Sequence, residues 1–289
     1  MKKRLLIVGC GDVGRRLIPY ALARYRVYAL SREGTTAARA LGAVPVTADL
    51  DQPHSLSVIS GLAHDVVHLA PPPAQGASDA RTAHLIAALG NMKSSLPRHF
   101  VYISTSGVYG DCAGEVVPET RPVRPQSARA RRRVDAERRL RAWGARTGVC
   151  VSILRVPGIY AADRLPLARL QRGTPAIRDE EDGYVNHIHA DDLARMVMAA
   201  LIRAKPCRTY NAADDAPQKM GAYFDWVADC HGLPRPPRIT RSEARRVLPE
   251  TLMSFMSESR RLSNDRIKRE LRFRLRYPTV QDGIARVQS

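Results

Sequence analysis

The segment with the clearest chemical meaning is a glycine-rich loop, Gly9-Cys-Gly-Asp-Val-Gly14, which follows the apolar run 4–8 and opens a segment of helical periodicity. Glycines at this spacing allow a tight turn and a close approach of the backbone to phosphate, and the first N–H groups of a helix attract anions. We therefore expect a dinucleotide diphosphate at this loop, the alternative being a purely structural turn. The residues expected to hold it are Gly9, Gly11, Asp12, Val13 and Gly14.

Ser31 and Arg32 stand at the end of the second apolar run, where dinucleotide-binding proteins distinguish NAD from NADP. An acidic side chain at this point would bind the ribose hydroxyls of NAD, whereas an arginine can hold the 2′-phosphate of NADP with a bidentate fork. Ser31 and Arg32 therefore favour NADP(H) over NAD(H). Glu33, one residue further on, keeps NAD(H) as an alternative.

A group of histidines and aspartates, His187, His189, Asp191 and Asp192, has side chains of the types that bind metals. Alternation along a strand places the two histidines on one face, and one of the aspartates is expected to cap the helix that begins near residue 191. We predict no metal site here. We expect His187 instead to be a polar contact for the substrate.

The elements that must position these residues follow from a regular alternation in the first 155 residues. Short apolar runs rich in β-branched residues alternate with helix-period segments, which is typical of a parallel sheet covered by helices on both faces. The sequence thus predicts an α/β fold with a doubly wound parallel sheet. The expected strands are 4–8, 26–30, 43–47, 65–70, 99–104 and 149–154.

The composition limits the classes of protein to which the chain can belong. No apolar run approaches the roughly 18–20 residues that span a bilayer, and the 5 cysteines are widely spaced with no C-x-x-C, which indicates a reducing, cytoplasmic setting. The formal net charge is +18, and forty of the 46 basic residues are arginine. Such a skew can reflect coding bias. The basic excess itself is compatible with a solvated charged face, which we favour, with attraction of an anionic substrate or cofactor, or with nucleic acid bound through the arginine-rich segment 121–146. We regard nucleic acid as the weakest of these interpretations.

Several longer segments together resemble the NAD(P)-dependent epimerase/dehydratase family, an atypical or extended branch of the short-chain dehydrogenase/reductase superfamily. The matching pieces are GCGDVG, ADL (48–50), HLA (68–70), YISTSGVYGD (102–111), ILRVPGIY (153–160), VNHIHADDLARMVMAAL (185–201) and YNAADDAP (210–217). The resemblance implies a Rossmann domain formed by residues 1–155 and 186–212, and a smaller C-terminal α+β substrate domain formed by residues 156–185 and 213–289. It also implies that Asp49 and Leu50 lie near the adenine and that Leu69, Ala70 and Pro71 line the nicotinamide side.

The catalytic pair of the family is missing from this chain. Family members use Tyr-x-x-x-Lys on the helix after the YGD loop, where Tyr shuttles a proton and Lys holds the ribose. None of the 10 tyrosines is followed by Lys four residues later, and alignment places Arg129 and Arg133 at the two positions. Because arginine stays protonated, it cannot shuttle a proton. We expect Arg129 and Arg133 to bind a phosphate or carboxylate of the substrate, with a solvated helix face as the alternative.

Two other catalytic positions are retained in part. Thr105 occupies the place where the family has the Ser or Thr that hydrogen-bonds the substrate oxygen, and Tyr109 could act as a substitute acid, although packing in its turn is the other interpretation. Ser106 and Gly107 replace the acid pair of the dehydratases, which disfavours dehydration. The sequence therefore predicts an NADP(H)-binding oxidoreductase or epimerase, a monomer or homodimer, that acts on a small sugar-like or anionic substrate. The rival interpretation is a non-catalytic dinucleotide sensor or scaffold.

Overall fold

The secondary structure is that of an α/β protein. The computed structural model describes residues 2–34, 36–90 and 95–285. In that part the strands are β1 (Lys3–Val8), β2 (Tyr25–Ser31), β3 (Val44–Thr47), β4 (Asp65–His68), β5 (His99–Thr105), β6 (Val116–Val117), β7 (Cys150–Val156), β8 (Gly158–Tyr160), β9 (Ala176–Ile177), β10 (Tyr184–Val185), β11 (His187–His189), β12 (Arg208–Asn211), β13 (Gln218–Lys219), β14 (Arg238–Ile239) and β15 (Arg261–Leu262). The helices are α1 (Asp12–Leu22), α2 (Thr36–Ala40), α3 (Ala80–Leu89), α4 (Ala128–Thr147), α5 (Leu167–Gln171), α6 (Ala190–Arg203), α7 (Met220–Cys230), α8 (Arg241–Val247), α9 (Glu250–Met256), α10 (Asp265–Leu271) and α11 (Val280–Ala285).

A parallel sheet forms the centre of the molecule. Within the described residues it has seven strands in the order β3-β2-β1-β4-β5-β7-β12, and every neighbouring pair is parallel. Each of the six predicted strands is found in it with ends that shift by at most two residues. The predicted fold class, a doubly wound parallel sheet, is therefore confirmed.

The two faces of the sheet are covered by different helices, because side chains alternate along each strand. In β1, Leu5 and Ile7 belong to a buried cluster that includes residues of α1 and α6, whereas Leu6 and Val8 belong to a second cluster that includes residues of α3 and α4. All four side chains are fully buried. Burial on both faces explains why β1 is a continuous apolar run. Because all neighbouring strands are parallel, their carboxyl ends lie at one edge of the sheet.

The remaining residues build a smaller body beside that edge. Short strands pair two by two as β8·β11, β9·β14, β10·β13 and β6·β15, and α5, α7 and α11 share a separate apolar cluster that includes Val227 and Val280. The predicted domain boundaries at residues 155, 185 and 212 stay a prediction. Among the described residues, no helix is long and apolar enough to cross a bilayer.

Candidate functional site

A cleft of about 320 Å³ opens beside the glycine-rich loop, at the carboxyl ends of β1, β2 and β4. Nine of the twelve residues predicted to bind the dinucleotide line it. They are Gly9, Gly11, Ser31, Arg32, Asp49, Leu50, Leu69, Ala70 and Pro71. The structure thus brings together segments that lie up to sixty residues apart in the sequence, as expected for a ligand at the edge of an open α/β sheet.

The glycine-rich loop fits a diphosphate for reasons that differ between its glycines. Gly9 has φ +88°, and a Cβ there would lie 2.6 Å from the backbone nitrogen of Ala70. A Cβ on Gly11 would meet nothing within 4 Å, so its missing side chain leaves open space in the cleft. No side chain of the described residues caps α1 at Gly11, which leaves the first-turn N–H groups available to a ligand.

Asp12, Val13 and Gly14 do not line the cleft. Gly14 is buried, and a Cβ on it would lie 3.2 Å from the carbonyl oxygen of Gly9; Val13 packs against the apolar cluster under α1. The Asp12 carboxylate accepts hydrogen bonds from Arg16 Nε (3.0 Å) and Arg164 Nη1 (2.8 Å). These three residues can serve a dinucleotide through their backbone N–H groups, and that role stays a prediction.

At the end of β2 the cleft offers polar groups suited to a ribose phosphate. The buried Ser31 hydroxyl has no hydrogen-bond partner among the described residues, and Arg32 is exposed beside it. Arg81, in the first turn of α3, also lines the cleft and was not predicted. It donates from Nε and Nη2 to the two carboxylate oxygens of Asp51, at 2.8 and 2.6 Å. Hydrogen bonds from Arg81 and the field of Arg32 hold the pKa of Asp51 below its usual value.

A second cavity, of about 310 Å³, lies at the carboxyl ends of β5 and β7. Thr105, Arg129, Arg133 and His187 all line it, so the structure brings together four of the five residues predicted for catalysis or substrate binding. Thr105 is half-buried, and its hydroxyl accepts a hydrogen bond from the N–H of Gly107 at 3.3 Å.

Helix α4 carries both arginines to this cavity. Its start is fixed by Ser127, whose hydroxyl accepts a hydrogen bond from the N–H of Ala130 at 3.2 Å. One turn further on, Arg133 Nη1 donates to the hydroxyl of Tyr102 (2.9 Å) and to the carbonyl of Ile103 (2.8 Å). Arg133 is thereby anchored to β5 rather than left as part of a solvated helix face.

Arg129 stands in a cationic cluster at the rim of the cavity. Although the residue as a whole is exposed, partial loss of hydration and repulsion from Arg133 lower the pKa of its guanidinium. Arg260 lines the same cavity and donates from Nη1 to Glu258 Oε2 at 2.7 Å and to the carbonyl of Gly110 at 2.6 Å. Three arginines and one glutamate give this part of the cavity a net positive charge, which suits an anion.

Glu258 and Arg260 were missed by sequence reasoning because they lie more than 120 residues after Arg129. The segment that carries them is held on both sides by hydrogen bonds. The carbonyl of Ser259 accepts from the N–H groups of Cys112 and Gly114, both at 3.0 Å, and the side-chain amide of Asn186 donates to the carbonyl of Arg260 at 2.9 Å. No spacing rule on the sequence predicts such a connection.

Tyr109 does not reach the cavity beside Thr105. It is 1% exposed, its hydroxyl donates to Asn211 Oδ1 at 2.8 Å, and the guanidinium of Arg155 lies 4.7 Å from its ring centre. Burial raises its pKa. A group so enclosed cannot hand a proton to a substrate in the cavity, so the geometry supports the packing role and not the role of an acid.

His187 faces the cavity as a neutral ring. It is buried, stacks on Tyr223 with ring centres 4.2 Å apart, and its Nδ1 has no hydrogen-bond partner among the described residues. Burial lowers its pKa to about 4. It is therefore uncharged at neutral pH and can donate or accept one hydrogen bond.

The other three polar residues of the His187–Asp192 group have structural partners. His189 Nδ1 accepts from the N–H of Asp191 at 3.2 Å and so caps α6, which corrects the expectation that an aspartate does so. Asp191 accepts from Arg16 at 2.9 Å, and Asp192 accepts from the N–H groups of Arg276 and Tyr277, both at 2.9 Å. The described residues contain no group of three or more side chains arranged to hold a metal ion.

Comparison with known proteins gives matches over most of the chain. The family described as NAD dependent epimerase/dehydratase matches residues 5–213. A curated relative, 3-diazoavenalumate denitrifying reductase of a Streptomyces species, is 26% identical, and the match covers 98% of this chain and 99% of that protein.

Two solved structures place the fold in context. A conserved protein of unknown function from Silicibacter pomeroyi is 30% identical, with a TM-score of 0.82 and coverage of 99% of this chain and 98% of that one. UDP-glucuronic acid 4-epimerase from Bacillus cereus, solved in complex with NAD, is 18% identical, with a TM-score of 0.77 and coverage of 97% and 96%. This last likeness is one of fold.

Proposed function

Because the chain belongs to the NAD dependent epimerase/dehydratase family, we propose that it is an NADP(H)-dependent oxidoreductase that reduces a small anionic substrate. The observation that carries the proposal is the second cavity, where Thr105 lies near Arg129, Arg133 and Arg260 at the carboxyl ends of β5 and β7. The curated relative is a reductase by name, which supports reduction over epimerisation. The cysteines, none of which forms a disulfide in the described residues, support a cytoplasmic setting.

The first cleft supports a phosphorylated dinucleotide. The unpartnered Ser31 hydroxyl and the exposed Arg32 guanidinium, both at the end of β2, support binding of a 2′-phosphate, and Asp49 and Leu50, which line the same cleft, are the residues we expect on the adenine side. When bound, the nicotinamide supplies a hydride to the substrate. The open backbone at Gly11 admits the diphosphate, since no side chain stands in its way.

In the second cavity the residues of this chain bind and orient the substrate. Thr105 hydrogen-bonds the oxygen at the reacting carbon, and Arg129 and Arg260 hold the anionic group by charge-assisted hydrogen bonds. His187, neutral at pH 7, contributes one hydrogen bond to the opposite side. Arginine at the position of the family's tyrosine does not release a proton, so the proton that balances the hydride comes from water.

Titration of NADPH and NADH into the protein tests the cofactor. We expect NADPH to bind more tightly, and Arg32→Gln to weaken NADPH by about 10- to 100-fold, the range for one charge-assisted hydrogen bond. Its effect on NADH should be small because NADH has no 2′-phosphate. The exposed neighbour Glu33 provides a control of opposite charge, and Glu33→Gln should leave the preference unchanged or increase it. Equal affinities for the two dinucleotides would contradict the assignment.

A panel of matched carbonyl compounds, with and without a carboxylate, tests the substrate class by NADPH oxidation. We expect turnover to be confined to the carboxylates, and Arg129→Gln to raise KM at least about tenfold. Arg131→Gln, an exposed arginine on the same helix, is the matched control. Tight NADPH binding without turnover over a broad panel would favour the sensor instead.

A further inference from the structure

Five charged side chains meet at the amino end of α1. Arg16 donates to Asp12 Oδ1 (3.0 Å), to Asp163 Oδ1 (2.6 Å) and to Asp191 Oδ1 (2.9 Å), and Arg164 Nη1 donates to Asp12 Oδ2 (2.8 Å). The cluster joins two parts of the molecule, because Asp12 and Arg16 lie on α1, whereas Asp163 and Arg164 lie on the turn after β8.

Asp12 is an unusual neighbour for a diphosphate. It is the first residue of α1, and a carboxylate there stabilises the positive end of the helix in the free protein. Burial alone would raise its pKa, but the hydrogen bonds from Arg164 and Arg16 keep that pKa below its usual value. The carboxylate therefore stays ionised at neutral pH, at the same helix end where the two negative charges of a diphosphate are expected.

Arg16 cannot neutralise this carboxylate alone, because it is shared among three aspartates. Arg164 has one ion-pair partner among the described residues, and that partner is Asp12. Arg164 reaches it from the turn after β8, 152 residues further along the chain. With Arg164 the cluster carries three negative and two positive charges, a net charge of −1, and without Arg164 its net charge is −2.

We propose that Arg164 is a positioning residue for the dinucleotide: by pairing with Asp12 it cancels the charge of that carboxylate at the amino end of α1 and so permits a diphosphate to approach the helix. The inference rests on the proposed function only in that the protein binds NADPH or NADH. This role can be distinguished from a purely structural ion pair. If Arg164 acts by neutralising Asp12, removing Arg164 alone weakens dinucleotide binding, and removing both charges restores the affinity.

The test is a double-mutant cycle read by NADPH fluorescence in low salt and in 0.5 M NaCl. The variants are Arg164→Gln, Asp12→Asn and the double variant, with Arg172→Gln, an exposed arginine on the same segment, as the matched control. We expect Arg164→Gln to weaken NADPH about fivefold in low salt and less in high salt, because the pair is partly exposed. Asp12→Asn, which keeps the backbone N–H and loses only the charge, should bind at least as tightly as wild type, and the double variant should match wild type within about twofold.

Three outcomes would overturn the proposal: no effect of Arg164→Gln, a weakening by Asp12→Asn as large as that by Arg164→Gln, or a double variant as weak as Arg164→Gln. The melting temperatures of the free variants are measured in parallel and should stay within about 3 °C of wild type, as for exposed ion pairs. If the wild type binds neither NADPH nor NADH, the proposed function fails and the inference fails with it. If the wild type binds and only the cycle fails, the proposed function stands.

Discussion

Gly9 and Gly11 lie two positions apart in one loop, yet an added methyl group would meet quite different surroundings. At Gly9 it would collide with the backbone of Ala70 and force an unfavourable positive φ, whereas at Gly11 it would enter open space. The first glycine is thus required by the fold, whereas only the proposed binding of a diphosphate gives a reason for the second. A bare G-x-G-x-x-G pattern does not separate these two requirements.

This contrast gives a prediction for the two alanine variants. Gly9→Ala should lower the free energy of unfolding by about 1–3 kcal/mol or more, because of strain and collision. Gly11→Ala should unfold like wild type but bind NADPH at least about tenfold more weakly, since its methyl group occupies the approach of the diphosphate. Urea denaturation and NADPH titration measure the two effects. Unchanged NADPH affinity in Gly11→Ala would place the diphosphate elsewhere.

At this scale the sequence predicted the residues that belong to recognisable motifs and missed those brought in from a distance. Ser31, Arg32 and Thr105 stand where strands end, and strand ends can be identified from the sequence. Arg81 and Arg260 reach the cavities from a helix start and a late loop, and their positions depend on packing that no local pattern encodes.

Helix α4 is tied to the sheet by a buried ion pair behind the second cavity. Glu137 accepts from Ser104 Oγ (2.6 Å) and from Arg155 Nε (3.1 Å) and Nη2 (2.7 Å). Both charged side chains are 5% exposed. Because Ser104 precedes Thr105 on β5 and Arg155 lies on β7, this pair sets the position of α4, and with it Arg129 and Arg133, against the strand ends.

We therefore expect Glu137→Gln to lower the free energy of unfolding far more than a substitution on the exposed face of the same helix. Loss of the carboxylate leaves the Arg155 guanidinium buried and uncompensated, at a cost of about 3–5 kcal/mol. Arg138→Gln breaks a pair in which the arginine side chain is 78% exposed, and should cost less than about 1 kcal/mol. Urea denaturation of both variants makes the comparison. A similar, small loss in the two would show that the buried pair does not anchor the helix.

Six of the seven strands of the central sheet were predicted, because they stand in short apolar runs rich in β-branched residues. The seventh, β12, was not, because its four residues RTYN include only one β-branched residue. The smaller body was not, because its strands are two or three residues long and find their partners far along the chain, as β6 does with β15. Short pairings of this kind leave no periodicity in the sequence. The helix after β11 was located correctly, but its cap, His189, is a residue type outside the usual set.

For the molecule as a whole, stability depends on pH through three buried histidines, His68, His187 and His189, whose pKa is lowered by burial. The shift is large for two of them. Burial lowers the pKa of His68 to about 3 and of His187 to about 4. In the unfolded chain the pKa of both histidines would be near 6.5, so below that pH the unfolded state binds protons that the folded state does not bind. The stabilising contribution is complete above pH 6.5 and is lost as the pH falls towards 4.

We expect the free energy of unfolding to fall between pH 6.5 and pH 5 by about 2 kcal/mol for each of His68 and His187. His187→Gln should remove the contribution of one histidine to this fall in the free energy of unfolding. His54→Gln, at an exposed position, should leave the fall unchanged. Urea denaturation at pH 7 and pH 5 measures the difference. A pH dependence that is the same in His187→Gln and wild type would mean that His187 is not held in its neutral form.

The late chain segment that pairs with the YGD loop also has a consequence for biosynthesis. The N–H groups of Cys112 and Gly114 donate to Ser259, and the carbonyls of Glu115 and Val117 accept from Arg261 and Ser263. On the ribosome, this loop must therefore wait for nearly 150 further residues before its backbone groups are paired. The wall of the second cavity is thus completed only after residue 263 has been synthesised, and until then the backbone groups of this loop are open to pairing with other chains.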